Sequence, residues 1–237
     1  MFTRKRLIFC TVLCVVLYSA AVTTSRASTF TIDTTPPNVN ISTFGYPNTA
    51  TYGQTITAVA STTQLNSFSF YIQTSGTITY RAYVMPWDGT KATGPILFQT
   101  ADQVTSGTGL NQYTYNTGGI SLTPGSQYVL FASVSNNYFV GNSAGVMGAR
   151  NNNPYSGGRF VYSNNGNNFG QLLSNNWDTF GDSYDLAFTA QLSSPNEVPE
   201  PTTMALFGTG LVGIAAQLRR RRKAQSNNET NPEEKKR

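Results

Sequence analysis

Histidine is absent from this chain, and its two cysteines, Cys10 and Cys14, both fall in a leading apolar segment. The rest of the chain therefore offers no Cys–His or Ser–His nucleophile–base pair, no thiolate zinc set and no imidazole ligands. Disulfides within the body are excluded too, whatever the redox state of its compartment. Charge is scarce, at 11% of residues, and it is unevenly placed. Arg4, Lys5, Arg6 and Arg26 lie at the N-terminal end, and Arg219 to Arg222, Lys223, Lys235, Lys236 and Arg237 at the other. Between them stand only Arg81, Lys91, Arg150 and Arg159, against Asp33, Asp88, Asp102, Asp178, Asp182, Asp185 and Glu197. The formal charge of +5 thus belongs to the ends, and the body is mildly acidic. Without a basic stripe to meet phosphates, the body is not a nucleic-acid binder.

Both ends are patterned for a membrane. Arg4-Lys5-Arg6 precedes an apolar run from Leu7 to Val22, and Ser25-Arg26-Ala27 then offers small residues at the two positions a signal peptidase reads. This is the layout of a secretory signal peptide, residues 1–27, cut after Ala27 by the machinery of Sec export. At the other end, Val198-Pro199-Glu200-Pro201 is followed by an apolar stretch, Met204 to Leu218, and then by Arg219, Arg220, Arg221, Arg222 and Lys223. At helical rise that stretch covers ~22 Å against a hydrocarbon core of ~30 Å. Including Thr202 and Thr203 and letting the arginines snorkel narrows the gap, which predicts a transmembrane helix over 202–218. The basic cluster opens a tail, 219–237, that is expected to stay in the cytoplasm. Gly208, Gly210 and Gly213 keep one side of the helix thin enough for another helix to approach.

A Pro-Glu-Pro element, an apolar segment and a basic cluster, in that order, resemble the PEP-CTERM sorting signal, a tail also labelled as the C-terminus of ice-binding proteins. The resemblance implies recognition by an exosortase, a Cys-dependent integral-membrane enzyme. Such an enzyme would cut near Pro199-Glu200-Pro201 and pass the preceding domain to the cell surface or extracellular matrix. The prolines suit this role, since they hold the segment extended and outside the helix that follows. Unlike typical members, this chain continues beyond the basic cluster, from Ala224 to Arg237. The resemblance covers about a tenth of the chain and says nothing of the body's activity.

The body, residues 28–193 with a linker over 194–201, suits one domain. Leu65–Gln73, Ile78–Met85, Gln127–Ser135 and Leu186–Leu192 alternate apolar and polar side chains with period two. Ile56–Ala60 marks an earlier strand, and Ile96–Thr100, Tyr113–Tyr115, Ile120–Leu122, Val146–Ala149 and Arg159–Tyr162 are shorter ones. Asp88-Gly89, Gly94-Pro95, Gly118-Gly119 and Pro124-Gly125 are turn dipeptides. The pattern predicts an all-β fold, a two-sheet β-sandwich in which a jelly roll fits best. Residues 136–176, rich in Asn and Gly, read as long solvated loops. Tyr80-Arg81-Ala82-Tyr83 before Trp87-Asp88-Gly89, then Thr93-Gly94-Pro95-Ile96-Leu97 and Leu122-Thr123-Pro124-Gly125, resemble jelly-roll domains of secreted bacterial surface proteins.

Catalysis is poorly provided for. A glycosidase needs two carboxylates across a cleft. Asp178, Asp182 and Asp185 cluster locally and Asp88 or Asp102 could oppose them, but six aspartates in such a body usually include a cluster by chance, so a non-enzymatic domain without cofactor is expected. Asp178, Asp182 and Asp185 carry hard oxygen ligands, and calcium is the cation that such a set, helped by Asn175 or Asn176, would take. Their spacing does not fit an EF-hand loop, and turn aspartates before a strand are the ordinary alternative. Trp87, Trp177, Tyr71 and Tyr83, with Tyr138 and Tyr155, could stack on sugar rings of an exopolysaccharide. Packing at the ends of the sandwich is the commoner fate of such tryptophans. The T-x-T pairs at Thr29/Thr31, Thr49/Thr51, Thr55/Thr57 and Thr77/Thr79 are unevenly spaced, and β-propensity accounts for them. Two functions stay open: a surface or matrix scaffold, and a carbohydrate-binding module.

Overall fold

The computed structural model describes residues 28–60, 63–141, 144–194 and 213–222. Residues 27–195 form one compact unit. The signal segment, the Val198-Pro199-Glu200-Pro201 motif, most of the 202–218 span and Lys223 lie outside the described residues.

The unit is a two-layer antiparallel β-sandwich. The first sheet contains β1 (Thr29–Asp33), β2 (Val39–Gly45), β4 (Gln64–Thr74), β8 (Asn111–Ser121), β10 (Ala144–Arg150), β12 (Asp185–Leu186) and β13 (Phe188–Ser193). The second contains β3 (Thr51–Thr57), β5 (Thr77–Trp87), β6 (Phe98–Gln99), β7 (Gln103–Ser106), β9 (Gln127–Ser133) and β11 (Phe160–Ser163). β4 is the hub of the first sheet, with β8 on one edge and β13 and β10 end to end on the other. β1 then borders β13, and β2 borders β10. The second sheet runs β11, β3, β9, β5, with β6 and β7 sharing the far edge of β5. The long strands β3, β4, β5, β8, β9, β10 and β11 mostly alternate between sheets along the chain, a path compatible with a jelly roll.

Alternation explains the layers. Phe68, Phe70 and Ile72 of β4 face Ile78, Tyr80, Ala82 and Val84 of β5 and Leu130 and Ala132 of β9, and all are buried. Tyr80 and Tyr115 keep their hydroxyls satisfied in this core by bonding each other at 2.8 Å, and burial pushes the Tyr80 hydroxyl up to about 12. Gln54 of β3 also points inward, and its amide bridges the sheets: Nε2 donates to Asp185 Oδ1 at 2.7 Å, and Oε1 accepts from Leu186 N at 2.8 Å. The ends of the unit meet, with Ser28 N donating to Ser194 Oγ at 2.9 Å and Ser194 N to Ser28 O at 2.8 Å.

A second, smaller core lies on the outer side of the second sheet. Tyr83, Met85 and Trp87 of β5, Val129 and Phe131 of β9 and Val161 of β11 are covered there by Phe169, Leu172 and Trp177. Leu172 sits on a single helical turn, α1 (Gln171–Ser174). The segment carrying this cover belongs to the Asn-rich region, which docks Phe169, Leu172 and Asn165 while Asn164, Asn167, Asn168, Asn175 and Asn176 stay exposed. Asn165 is buried, accepting from Thr51 Oγ1 at 2.9 Å and donating to Ser135 Oγ at 3.0 Å and Asn168 O at 3.1 Å. Asn167 Oδ1 accepts from the amides of Asn137 and Phe139, each at 3.1 Å.

Three local expectations change. Gly118-Gly119 does not turn the chain; it forms a bulge inside β8, where both glycines have positive φ, 75° and 84°, and Asn116 and Ile120 face Ser67 and Leu65. The strand expected over Ile56–Ala60 begins five residues earlier, because Gln54 finds polar partners across the sandwich. β1 and β2, whose residues alternate weakly, extend the first sheet. A final helix, α2, covers residues 213–222 and is exposed. Among the described residues no helix is long and apolar enough to cross a membrane.

Candidate functional site

A polar cleft of about 330 Å³ lies over the ends of β3, β5 and β9. Thr55, Thr57 and Gln127 supply its floor, Trp87 and Gly89 one wall, and the 153–159 segment and Asp182 the other. That segment lies tightly on β3. A Cβ on Gly158 would sit 1.7 Å from Thr55 O, so only glycine fits there. Thr57 Oγ1 donates to Gly157 O at 2.7 Å, and Arg159 N to Thr55 Oγ1 at 2.9 Å. Arg159 then spans the cleft, with Nη1 3.2 Å from Asp182 Oδ1 and Nη2 donating to Gly89 O at 3.3 Å. Asn153 contributes a buried Oδ1 that has no hydrogen-bond partner. The opposing turn is pinned by Asp88, whose Oδ1 accepts from Thr90 N, Thr90 Oγ1 and Lys91 N at 2.8–2.9 Å. Those donors hold the Asp88 carboxyl well below the usual carboxylate range. Chemically the cleft offers hydroxyls, amides and one guanidinium–carboxylate pair, which suits hydroxylated ligands and provides no nucleophile with a base.

The structure disperses the residues that sequence proximity grouped. Asp178 is exposed, and its backbone exchanges hydrogen bonds with Tyr162. Asp182 pairs with Arg159. Asp185 is 0% exposed and accepts from Gln54 Nε2 at 2.7 Å and Tyr155 N at 2.9 Å, while burial raises its carboxyl above the ordinary value. Among the described residues no group of three acids could hold a metal ion, so the calcium set at Asp178, Asp182 and Asp185 is not formed.

The aromatic platform does not form either. Trp87 and Trp177 meet edge to face at 5.4 Å and are each 7% exposed, and Trp177 Nε1 donates to Leu172 O at 2.9 Å. Tyr83 stacks on Phe131 at 4.8 Å in the same small core. Tyr71 lies on the other sheet, its hydroxyl 3.3 Å from Gln112 Oε1. Trp177 and Tyr83 are therefore interior packing, and Trp87 packs with them while also lining the cleft. Tyr138 instead bonds Asp102, which Arg81 also pairs at 2.6 Å.

The outer side of the first sheet is uncharged across its centre. Ser69 Oγ bonds Thr189 Oγ1 at 2.7 Å and accepts from Gln112 Nε2 at 2.8 Å, and Ser67 Oγ donates to Gln191 Oε1 at 3.3 Å. A shallow hollow of about 420 Å³ near Asn40, Gln73, Ser75 and Thr108 continues this face. The cleft residues Gln127, Asn153 and Arg159 were not singled out by sequence, because only the docking of the 153–159 segment brings them together. The Gly157-Gly158 pair was the one local sign of close backbone approach.

The antiparallel β-sandwich is followed in the sequence by a Pro-Glu-Pro, apolar and basic tail. Residues 197–222 match the PEP-CTERM protein-sorting motif, so the chain carries that sorting signal. The motif implies export and processing by an exosortase, a membrane enzyme. Comparison with curated proteins finds no match. Among solved structures, the cysteine protease and lectin-like domains of Cwp84, a surface layer associated protein of Clostridium difficile, align with a TM-score of 0.43 and 13% identity. That alignment covers 62% of this chain and 32% of that one. A clostridial Cwp84 cysteine protease after propeptide cleavage aligns with a TM-score of 0.49 and 12% identity, covering 70% of this chain and 40% of that one. This chain thus spans less than half the length of either.

Proposed function

We propose that this protein is delivered across the membrane, held briefly by the apolar 202–218 span, and released by an exosortase so that its β-sandwich serves as a non-catalytic cell-surface or matrix module. The observation that carries this reading is the sorting motif over 197–222 directly behind a compact domain. Pro199-Glu200-Pro201 is the recognition element, and Arg219 to Arg222 with Lys223 are the stop. Replacing Pro199, Glu200 and Pro201 by Ala leaves the hydrophobicity and charge topology intact. Insertion should persist while the untrimmed form accumulates in the membrane. Intact mass of the mature protein reads its C-terminal boundary, and equal trimming of both forms would overturn the reading.

A carbohydrate-binding role is the second reading, favoured by the uncharged floor and amide-lined walls of the cleft at Thr55, Gln127 and Arg159. Saturable binding on a glycan array that is lost with Gln127→Ala, while the melting temperature is kept, would support it.

A further inference from the structure

The open sides of the two sheets are not equally protected. β11 is bonded on its free side by the 178–184 segment, through the Tyr162–Asp178 pair and the Phe160 N to Tyr184 O bond at 2.9 Å. β6 and β7 are two and four residues long. β1 has five residues and carries the exposed Asp33. β2, with seven uncharged residues, pairs with β10 alone, and β8 is the longest of these edges: it has 11 residues and, among the described residues, pairs with β4 alone. Its length carries no proline, and no Lys, Arg, Asp or Glu occurs anywhere from residue 103 to residue 149. Long edge strands are ordinarily guarded by short length, charge, proline or a covering segment, because their free N–H and C=O groups template another strand. Over Gln112–Asn116, β8 has none of these.

The sequence of that stretch is also self-complementary. Asn111-Gln112-Tyr113-Thr114-Tyr115-Asn116 reads nearly the same in both directions about Thr114. In an antiparallel pair centred there, Thr114 faces its own copy, Tyr113 faces Tyr115, and the amides of Gln112 and Asn116 face each other. Gln112, Thr114 and Asn116 are exposed on one side of the strand, so their copies would meet on one side too. A two-fold contact of this kind is isologous and closes as a dimer.

We propose that β8 pairs with β8 of a second copy of this chain, antiparallel about Thr114, so that two sandwiches share one continuous first sheet. The bulge at Thr117–Gly119 ends the regular edge and limits the contact to about five residues a side. Such a contact falls below the ~1,000 Å² of a stable interface. It is weak, and it becomes populated where copies are crowded on a surface.

The body lacks cysteine, which gives a direct test on the 28–194 segment, a compact unit with its own core. Facing Cβ atoms in such a pair lie ~4.5–5.5 Å apart, near the spacing of about 3.5–4.5 Å that a disulfide needs. Under mild oxidation, Thr114→Cys should form a covalent dimer many times faster than Thr31→Cys on the exposed outer position of β1. In sedimentation velocity at rising protein concentration, the unmodified segment should shift toward dimer. Thr114→Lys, which sets like charges face to face, should abolish that shift without moving the melting temperature. Equal cross-linking at both positions, or a concentration-dependent dimer unaffected by Thr114→Lys, would overturn the proposal. So would a segment that stays monomeric at the highest concentration reached.

Discussion

The outer sides of the two sheets start from the same alternating rule and end differently. On the first sheet the outward residues of β4, β8 and β13 are Ser67, Ser69, Tyr71, Gln112, Thr114, Asn116, Thr189 and Gln191, and all of these but Thr114 and Asn116 bond one another through their side chains across the strands. That face needs no cover. On the second sheet the outward residues of β5 and β9 include Tyr83, Met85, Trp87, Val129 and Phe131. Left open, this would be a broad apolar patch of the sort that marks an interface. The Asn-rich segment closes it with Phe169, Leu172 and Trp177, and its amides replace the solvent that the loop backbone gives up. The lid is two-sided: Asn165, Leu172 and Trp177 are buried, while Asn164, Asn167, Asn168, Asn175 and Asn176 remain exposed.

The largest way to break that asymmetry is Trp177→Ala. It removes a buried ring from the lid together with its bond to Leu172 O, and should cost about 3–5 kcal/mol in urea unfolding. Asn165→Ala keeps the ring but removes three buried bonds, to Thr51, Ser135 and the Asn168 carbonyl, for an expected loss of about 1–3 kcal/mol by the same measurement. On the first sheet, Gln191→Ala removes an exposed amide from the polar ladder and should stay within about 0.5 kcal/mol. A loss as large as that of Asn165→Ala would mean that the two faces are equally structural.

Acid sharpens the comparison further, through two aspartates of opposite sign. Asp185, buried under the sandwich end, has a raised carboxyl value, so the folded state holds its proton more tightly than the unfolded chain. Its burial penalty is present at neutral pH and is relieved as pH falls through the raised value toward the ordinary 3.8. Asp88, beside the covered face, is held low by its turn amides; its contribution is present above 3.8 and is lost as pH falls below that. The urea midpoint should therefore rise on mild acidification and then drop. Asp88→Ala should flatten only the acidic drop, by a small amount because the group is solvent-accessible. A drop of unchanged steepness in Asp88→Ala would remove Asp88 as its source.

Much of the fold was legible. The alternation over Leu65–Gln73 became β4, since a strand of that length with one apolar side has only one register that buries it, and Ile78–Met85 and Gln127–Ser135 became β5 and β9. The second core was missed, although β5 and β9 carry apolar residues on both sides, from Tyr80 to Trp87 and from Tyr128 to Val134, a sign of strands buried on two faces. The bulge at Gly118-Gly119 was hidden because positive φ serves a bulge and a turn alike. The site residues were the least legible. Asp178, Asp182 and Asp185 are neighbours in the chain but belong to a bridge, a surface ion pair and a buried clamp. Thr55, Gln127 and Arg159 are far apart in the chain and share a cleft.

The meeting of Ser28 and Ser194 has a mechanical meaning. These residues end two antiparallel neighbours, β1 and β13, whose register runs from Thr29 opposite Ser193 to Asp33 opposite Thr189. Tension between the two ends pulls them apart across the ladder, not along it. The rungs then carry load one after another, as in a zip fastener, and yield at a lower force than a ladder sheared along its length. A domain tethered through one end alone escapes that loading, and β1 stays seated while the sandwich is pulled.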